Sequence, residues 1–121
     1  MAAYVPPGWP PEVHPPGSED WEDTAVAWLL DVLPEYRKHT MVCRWPVMLA
    51  VIARHTLGGA VEGARQGYRM ARTELGELAP PHAVDAALKA YRDEGRKLAA
   101  AERSAALVER ALRGERFTPT L

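Results

Sequence analysis

Three arginines on one predicted helix are the most regular set of side chains that could do chemistry in this chain. Arg65, Arg69 and Arg72 are spaced i, i+4 and i+7, so they share one helix face over about two turns. Guanidinium groups in such a stripe can bind phosphate or an acidic partner. Two observations disfavour nucleic-acid binding. The pI is about 6.4, and the sequence has no zinc-finger, homeodomain or RNA-recognition signature. A nucleic-acid-binding regulator is therefore an alternative to the simpler interpretation, in which the chain's own acids or solvent neutralise the stripe.

Metal ligands and nucleophiles are dispersed along the chain. None of the four histidines has a second histidine or cysteine at ligand spacing: His14, His39, His55 and His82. The single cysteine, Cys43, excludes an internal disulfide and has no identifiable base beside it, so we expect a small buried apolar residue there. The sequence thus predicts no catalytic residue, no metal site, no cofactor and no enzymatic activity.

A row of small residues follows the same predicted helix. Gly59, Gly63, Gly67 and Ala71 recur every fourth residue. Each interior glycine lowers the stability of a helix by about 1 kcal/mol relative to alanine. Three such glycines therefore indicate a close contact that compensates for this loss. We expect a tight crossing with the next helix of the chain. A dimer interface and a groove for a ligand or peptide are the alternatives.

All four tryptophans lie in the first 45 residues. Trp21 and Trp28 are seven residues apart on one helix face, which favours a place in the core. Trp9 and Trp45 each precede a proline, and they either seal the amino-terminal arm onto the body or line an interaction surface. A small-molecule-binding helical module, with a pocket between Trp21, Trp28 and the glycine row, is a further alternative.

These residues are positioned by helices in an all-α single domain, residues 1–121. We predict a long antiparallel helical hairpin, one packed amino-terminal helix and an extended proline-rich arm. Pro46 suits the first position of a helix, and the short connection before Pro81 makes the two long helices antiparallel neighbours. Residues 46–52 are apolar nearly all round, which predicts burial. The expected ranges are 1–17 for the arm, 19–33, 46–78 and 82–113 for the helices, 58–59 for a weak point where a kink can form, and 114–121 for an extended tail.

The charges of the chain are segregated. Residues 1–36 hold seven acids and no base, whereas residues 37–73 hold seven bases and one acid. Neighbouring segments of opposite sign are expected to fold against each other or against a second copy. One short helix also leaves a long hairpin with little cover, so we predict a homodimer with a four-helix core built from two hairpins.

The chain lacks the features of a membrane or secreted protein. No uncharged run approaches the roughly 18 apolar residues of a membrane span. The amino terminus has neither the basic region nor the apolar stretch of a secretory signal, and a single cysteine suits a reducing compartment. We expect a cytoplasmic protein with no membrane partner.

Two strings carry a resemblance, VPPGWPPEVHPPGSEDWEDTAVAWLLD and the terminal ALRGERFTPTL. They resemble a family of short, all-helical actinobacterial proteins, and the absence of Asn fits a GC-rich genome. That family is similar in turn to ParJ-type proteins, which bind the chromosome-partitioning ATPase ParA. The resemblance implies a modulator of a larger ATPase or assembly partner and transfers no site residue. The leading hypothesis is a non-enzymatic interaction or regulatory protein with an unidentified protein partner, acting through Trp9, Trp45, Arg65, Arg69 and Arg72.

Overall fold

A computed structural model describes residues 3–120 of the chain. Within that range the regular structure is entirely helical, which confirms the all-α prediction. None of the described helices combines the length and the apolar character needed to cross a membrane. The elements are α1 (Trp21–Val32), a 3-10 helix (Pro34–Lys38), α2 (Thr40–Cys43), α3 (Pro46–Leu75) and α4 (Pro81–Leu112).

Helices α3 and α4 form the predicted antiparallel hairpin. They contain 30 and 32 residues, so each is about 45–48 Å long at 1.5 Å per residue. Both begin with a proline, whose missing N–H removes no helical hydrogen bond at that position. The antiparallel register brings Arg54 to Glu109 near the open end and Gly67 to Tyr91 nearer the turn.

Helix α3 begins at the predicted residue 46, and the other ends of the three predicted helices differ from the predicted ones by one to three residues. Helix α1 begins at Trp21 rather than residue 19, because backbone hydrogen bonds that belong to turns occupy residues 15–21. Helix α3 ends at Leu75 rather than 78, because the chain closes into a tighter turn through a bond from the Leu78 N–H to the Leu75 carbonyl. Residues 58–59 do not interrupt α3, which packs along α4 on both sides of them.

The hydrophobic core lies in one half of the hairpin. We call residues 46–60 and 98–112 the proximal half and residues 61–75 and 81–97 the distal half. Helix α1 packs on the proximal half, and the fully buried side chains Leu29, Leu49 and Val108 all belong to this region. The distal half is only two helices thick. The sequence could not show this, because α1 is 12 residues long and its position depends on tertiary packing.

The proline-rich arm is part of the fold. Trp9 packs against Trp21 and Phe117, with ring centroids 6.1 Å and 6.0 Å apart. The Trp9 indole N–H donates a hydrogen bond to the carbonyl of Val13, whose side chain is buried. Ser104 on α4 donates a further hydrogen bond to the backbone of the arm. The arm is thus held by a two-sided aromatic contact and a buried valine.

One buried carboxylate ties the open end of the hairpin together. Glu109 is 8% exposed and accepts hydrogen bonds from Arg54 Nε at 2.6 Å and Arg113 Nε at 3.0 Å. Burial raises the pKa of the Glu109 carboxyl, but the two guanidinium groups outweigh that effect and hold the pKa below its ordinary 4.5. The ionised carboxylate therefore links α3 to the last turn of α4.

Candidate interaction site

The arginine stripe is exposed and is paired within the hairpin. Arg65 lies 2.9 Å from Glu62, and Arg69 approaches the same carboxylate at 3.9 Å. Arg72 reaches Asp85 of α4 at 3.4 Å. All three side chains keep more than half of their surface in solvent, so these ion pairs contribute little to stability.

Within one chain the acidic first segment does not fold against this stripe, so that part of the expectation is wrong, and a contact with a second copy stays a prediction. The acids of residues 1–36 that form ion pairs do so with near neighbours in sequence: Asp20 with His14, Asp31 with Arg37 and Glu35 with Lys38. The physical reason is location. Helix α1 packs on the proximal half, whereas the arginine stripe lies on the distal half.

A groove runs between α3 and α4 in the distal half, and we call it the distal groove. Its volume is about 370 Å³. Four small or aliphatic residues that are at least partly buried form its floor, two tyrosines form its sides, and three exposed arginines stand at its rim. The floor residues are Val61, Ala64, Gly95 and Ala99, the side residues are Tyr68 and Tyr91, and the rim residues are Arg65, Arg69 and Arg92.

Small residues create this groove by letting the helices approach. A Cβ built on Gly95 would lie 3.6 Å from the Cβ of Ala64, which is ordinary contact. A Cβ built on Gly67 would overlap the hydroxyl end of the Tyr91 ring, so that side chain lies directly against the glycine. The sequence itself indicates Gly67 and, on the opposing helix, Gly95 as a small residue with Tyr91 on the same seam; it does not show that the Tyr91 ring lies against Gly67. That seam is given by the steps of three and four along α4.

The predicted glycine row divides between two environments. Gly67 and Ala71 face α4, whereas Gly59 and Gly63 are exposed and have no atom of another element within 4 Å of a Cβ built on them. Four residues turn an α-helix through about 400°, so each step drifts by about 40° and the whole row by about 120°. The four residues therefore cannot all face one neighbouring helix.

A second exposed surface lies at the start of α3, and we call it the proximal patch. Met41, Trp45 and Met48 are 62%, 57% and 46% exposed within eight consecutive residues. Beside them Val47 and Val51 line a shallow groove of about 300 Å³. The predicted burial of residues 46–52 is wrong for Met48, because no element of the described chain covers this side of α3.

The four tryptophans lie in different environments, one exposed on the surface and three packed against other side chains. Trp45 is a surface residue, whereas Trp9 is engaged with Trp21 and Phe117 and does not present a free ring. Trp21 and Trp28 pack against the core. Neither contacts the exposed glycines, so the structure does not assemble the predicted pocket between the tryptophans and the glycine row.

In the described part of the chain, the side chains that could act as an acid, a base or a metal ligand do not gather into one site. Over residues 3–120 there is no cluster of three or more His, Cys, Asp or Glu side chains that could hold a metal ion. Cys43 is half-buried and donates a hydrogen bond from its thiol to the carbonyl of Tyr36. The hydrogen bond from His14 lowers the pKa of Asp20, an exposed pair at 2.7 Å. The arrangement is suited to binding by shape, apolar contact and charge.

Comparison with known proteins does not identify a function for these surfaces. No family model, no curated protein and no solved structure matches the chain.

Proposed function

We propose that this chain is a non-enzymatic, cytoplasmic protein that acts by binding other proteins and that works as a homodimer joined through the proximal patch. The observation that carries the proposal is the exposure of Met41, Trp45 and Met48 on one short stretch of chain. Single exposed apolar side chains are ordinary on a monomer, but a contiguous group of large ones marks an interaction surface. Tryptophan and methionine are also enriched in the cores of such surfaces.

The low charge of α3 beside the patch favours a second copy as its occupant. Residues 45–61 contain one charged side chain, Arg54, which is bound to Glu109. The exposed Arg44 lies within the patch, and Arg113, which is also bound to Glu109, lines the neighbouring groove. In a two-fold contact the same patch meets itself, so a heavily charged face would repel its own copy. A mainly apolar face repels its copy much less. Two hairpins in contact here would form the four-helix core expected for the dimer.

A regulatory role agrees with the resemblance to ParA-binding proteins. That resemblance supports a modulator of a larger ATPase or assembly partner, and it names no contact residue. The dimer would present two copies of the distal groove to such a partner, which would raise its apparent affinity through bivalent binding.

Light scattering after size-exclusion chromatography tests the dimer. At micromolar concentration we expect the wild type at twice the 13.4 kDa chain mass and Met48→Glu at the single mass. Leu78→Glu is the matched control, because Leu78 is 77% exposed at the hairpin turn, far from the patch. Far-UV circular dichroism checks that both variants stay folded. A monomeric wild type would contradict the proposal.

A further inference from the structure

The distal groove is an apolar trough that no part of the described chain covers. The arm, α1 and the core residues that hold them all contact the proximal half. Tyr68 and Tyr91 therefore stand beside a floor of small residues without a third helix over them. Tyrosine and arginine are the residue types that dominate the energetics of protein interfaces, and this groove has both.

The charge at the rim indicates the sign of the partner. Glu62 is the single carboxylate that pairs with both Arg65 and Arg69. Over residues 3–120 no carboxylate oxygen lies within 4 Å of the Arg92 guanidinium. The lining of the groove holds three arginines and no carboxylate. The acids next to it are Glu62 and Asp93, and the pKa of Asp93 is lowered by its hydrogen bond from Lys89 and further by nearby charges that include Arg92. The arginines remain in excess, so the rim is positive and favours an acidic partner.

The shape of the groove indicates a helix. Its lining residues extend over 61–69 on α3 and 91–99 on α4. Nine residues of helix span about 12 Å, a little over two turns, which matches one apolar face with contacts at i, i+3 or i+4 and i+7. We infer that the distal groove binds an amphipathic helix of a partner protein, with Asp or Glu side chains flanking its apolar face. This inference rests on the proposed interaction role but not on the dimer.

The chain's own acidic helix cannot supply that partner. Helix α1 carries acidic residues, but its apolar residues Ala25 and Leu29 are completely buried against the core. A second copy with α1 in place therefore cannot insert the apolar face of its α1. Nucleic acid is disfavoured because the floor of the groove is apolar, and a phosphate backbone offers no apolar face to fill it.

Two synthetic peptides test the inference on the full-length protein. Both are 18-residue labelled helices with the same Leu and Ala face, and their flanking positions carry Glu in one and Lys in the other. By fluorescence anisotropy we expect the Glu peptide to bind at least about tenfold more tightly than the Lys peptide. The double variant Arg65→Glu/Arg69→Glu should reverse this preference. Arg103→Glu, a matched change at an exposed arginine outside the groove, should leave the preference unchanged.

A third variant separates the apolar contribution from charge. Tyr91→Ala should weaken binding of the Glu peptide about tenfold, and circular dichroism should show a folded chain. Equal affinity for the two peptides, or no binding of either, would overturn the inference. Loss of self-association in the double arginine variant would also overturn it, because the groove would then hold a second copy. Displacement of the Glu peptide from the protein by duplex DNA would also overturn the inference.

The failure of the groove and the failure of the dimer are distinguishable. Met48→Glu removes the proposed dimer contact and lies outside the distal groove. We expect this variant to bind the Glu peptide with wild-type intrinsic affinity. A monomeric wild type that binds the Glu peptide would refute the dimer alone, and a dimer that ignores both peptides would refute the groove alone.

Discussion

Two glycines one helical turn apart should respond in opposite directions to the same substitution. An alanine methyl at Gly63 meets no other atom within 4 Å, so Gly63→Ala should stabilise the chain by about 1 kcal/mol through helix propensity. At Gly67 the methyl overlaps the Tyr91 ring. The ring must move away, and overpacking of this kind costs about 1–3 kcal/mol. After the propensity gain, Gly67→Ala should destabilise the chain by about 1 kcal/mol.

Urea unfolding followed by far-UV circular dichroism, at one protein concentration, measures this difference of about 2 kcal/mol. The background variant Tyr91→Ala isolates its cause. Without the ring, Gly67→Ala has only the propensity gain left and should stabilise by about 1 kcal/mol, as Gly63→Ala does. The coupling energy between Gly67 and Tyr91 should therefore be about 2 kcal/mol.

Equal responses of the two glycines would refute this assignment of the helix crossing. A penalty at Gly67 that persists in the Tyr91→Ala background would also do so, because some other contact would then be responsible. A concentration-dependent loss of stability in Gly63→Ala would instead place Gly63 in the interface between two copies.

Glu109→Gln should lower the free energy of unfolding at pH 7 by about 2 kcal/mol, whereas Glu62→Gln, at an exposed pair, should change it by less than about 0.5 kcal/mol. Because the folded-state pKa of Glu109 lies below its ordinary 4.5, its contribution is complete above that value and is lost as pH falls through the folded-state pKa. Unfolding at pH 7 and pH 3 checks this: the difference in unfolding free energy between the wild type and Glu109→Gln should be smaller at pH 3 than at pH 7, and a constant difference would contradict the argument. Trp9→Ala should cost about 2–3 kcal/mol and expose the arm to limited proteolysis, whereas Trp45→Ala should leave monomer stability nearly unchanged. Equal effects of the two tryptophans would contradict the docked arm. Duplex DNA should not bind in 50 mM salt, and binding that weakens with added salt would revive the nucleic-acid hypothesis.

The helices could be predicted because their signals are local. Proline at the first turn of each long helix and the spacing of apolar residues along residues 82–113 are properties of the sequence itself. The hairpin followed from the short connection between them. Helix ends differed because turns at residues 15–21 and after Leu75 compete with helical hydrogen bonds over a few residues.

The surfaces could not be predicted to the same extent, because exposure depends on which element covers which face. The pattern of residues 46–52 indicated burial, yet Met48 is exposed because α1 covers another side of α3. The sequence separates acidic from basic segments, but in the structure Arg65 pairs with Glu62, which is three residues away on the same helix. Trp9 and Trp45 had the same sequence context, a following proline, and lie in opposite environments.

Site-directed disulfide trapping tests the proposed self-contact of the proximal patch most directly. In a Cys43→Ser background, Met48→Cys places a thiol on the patch, and Leu78→Cys places one at the hairpin turn, where the native side chain is the more exposed of the two. Under mild oxidation at micromolar concentration we expect the Met48→Cys chain to form a disulfide-linked dimer rapidly and the Leu78→Cys chain to form no disulfide between two copies. Equal or absent cross-linking of the two chains would contradict the account.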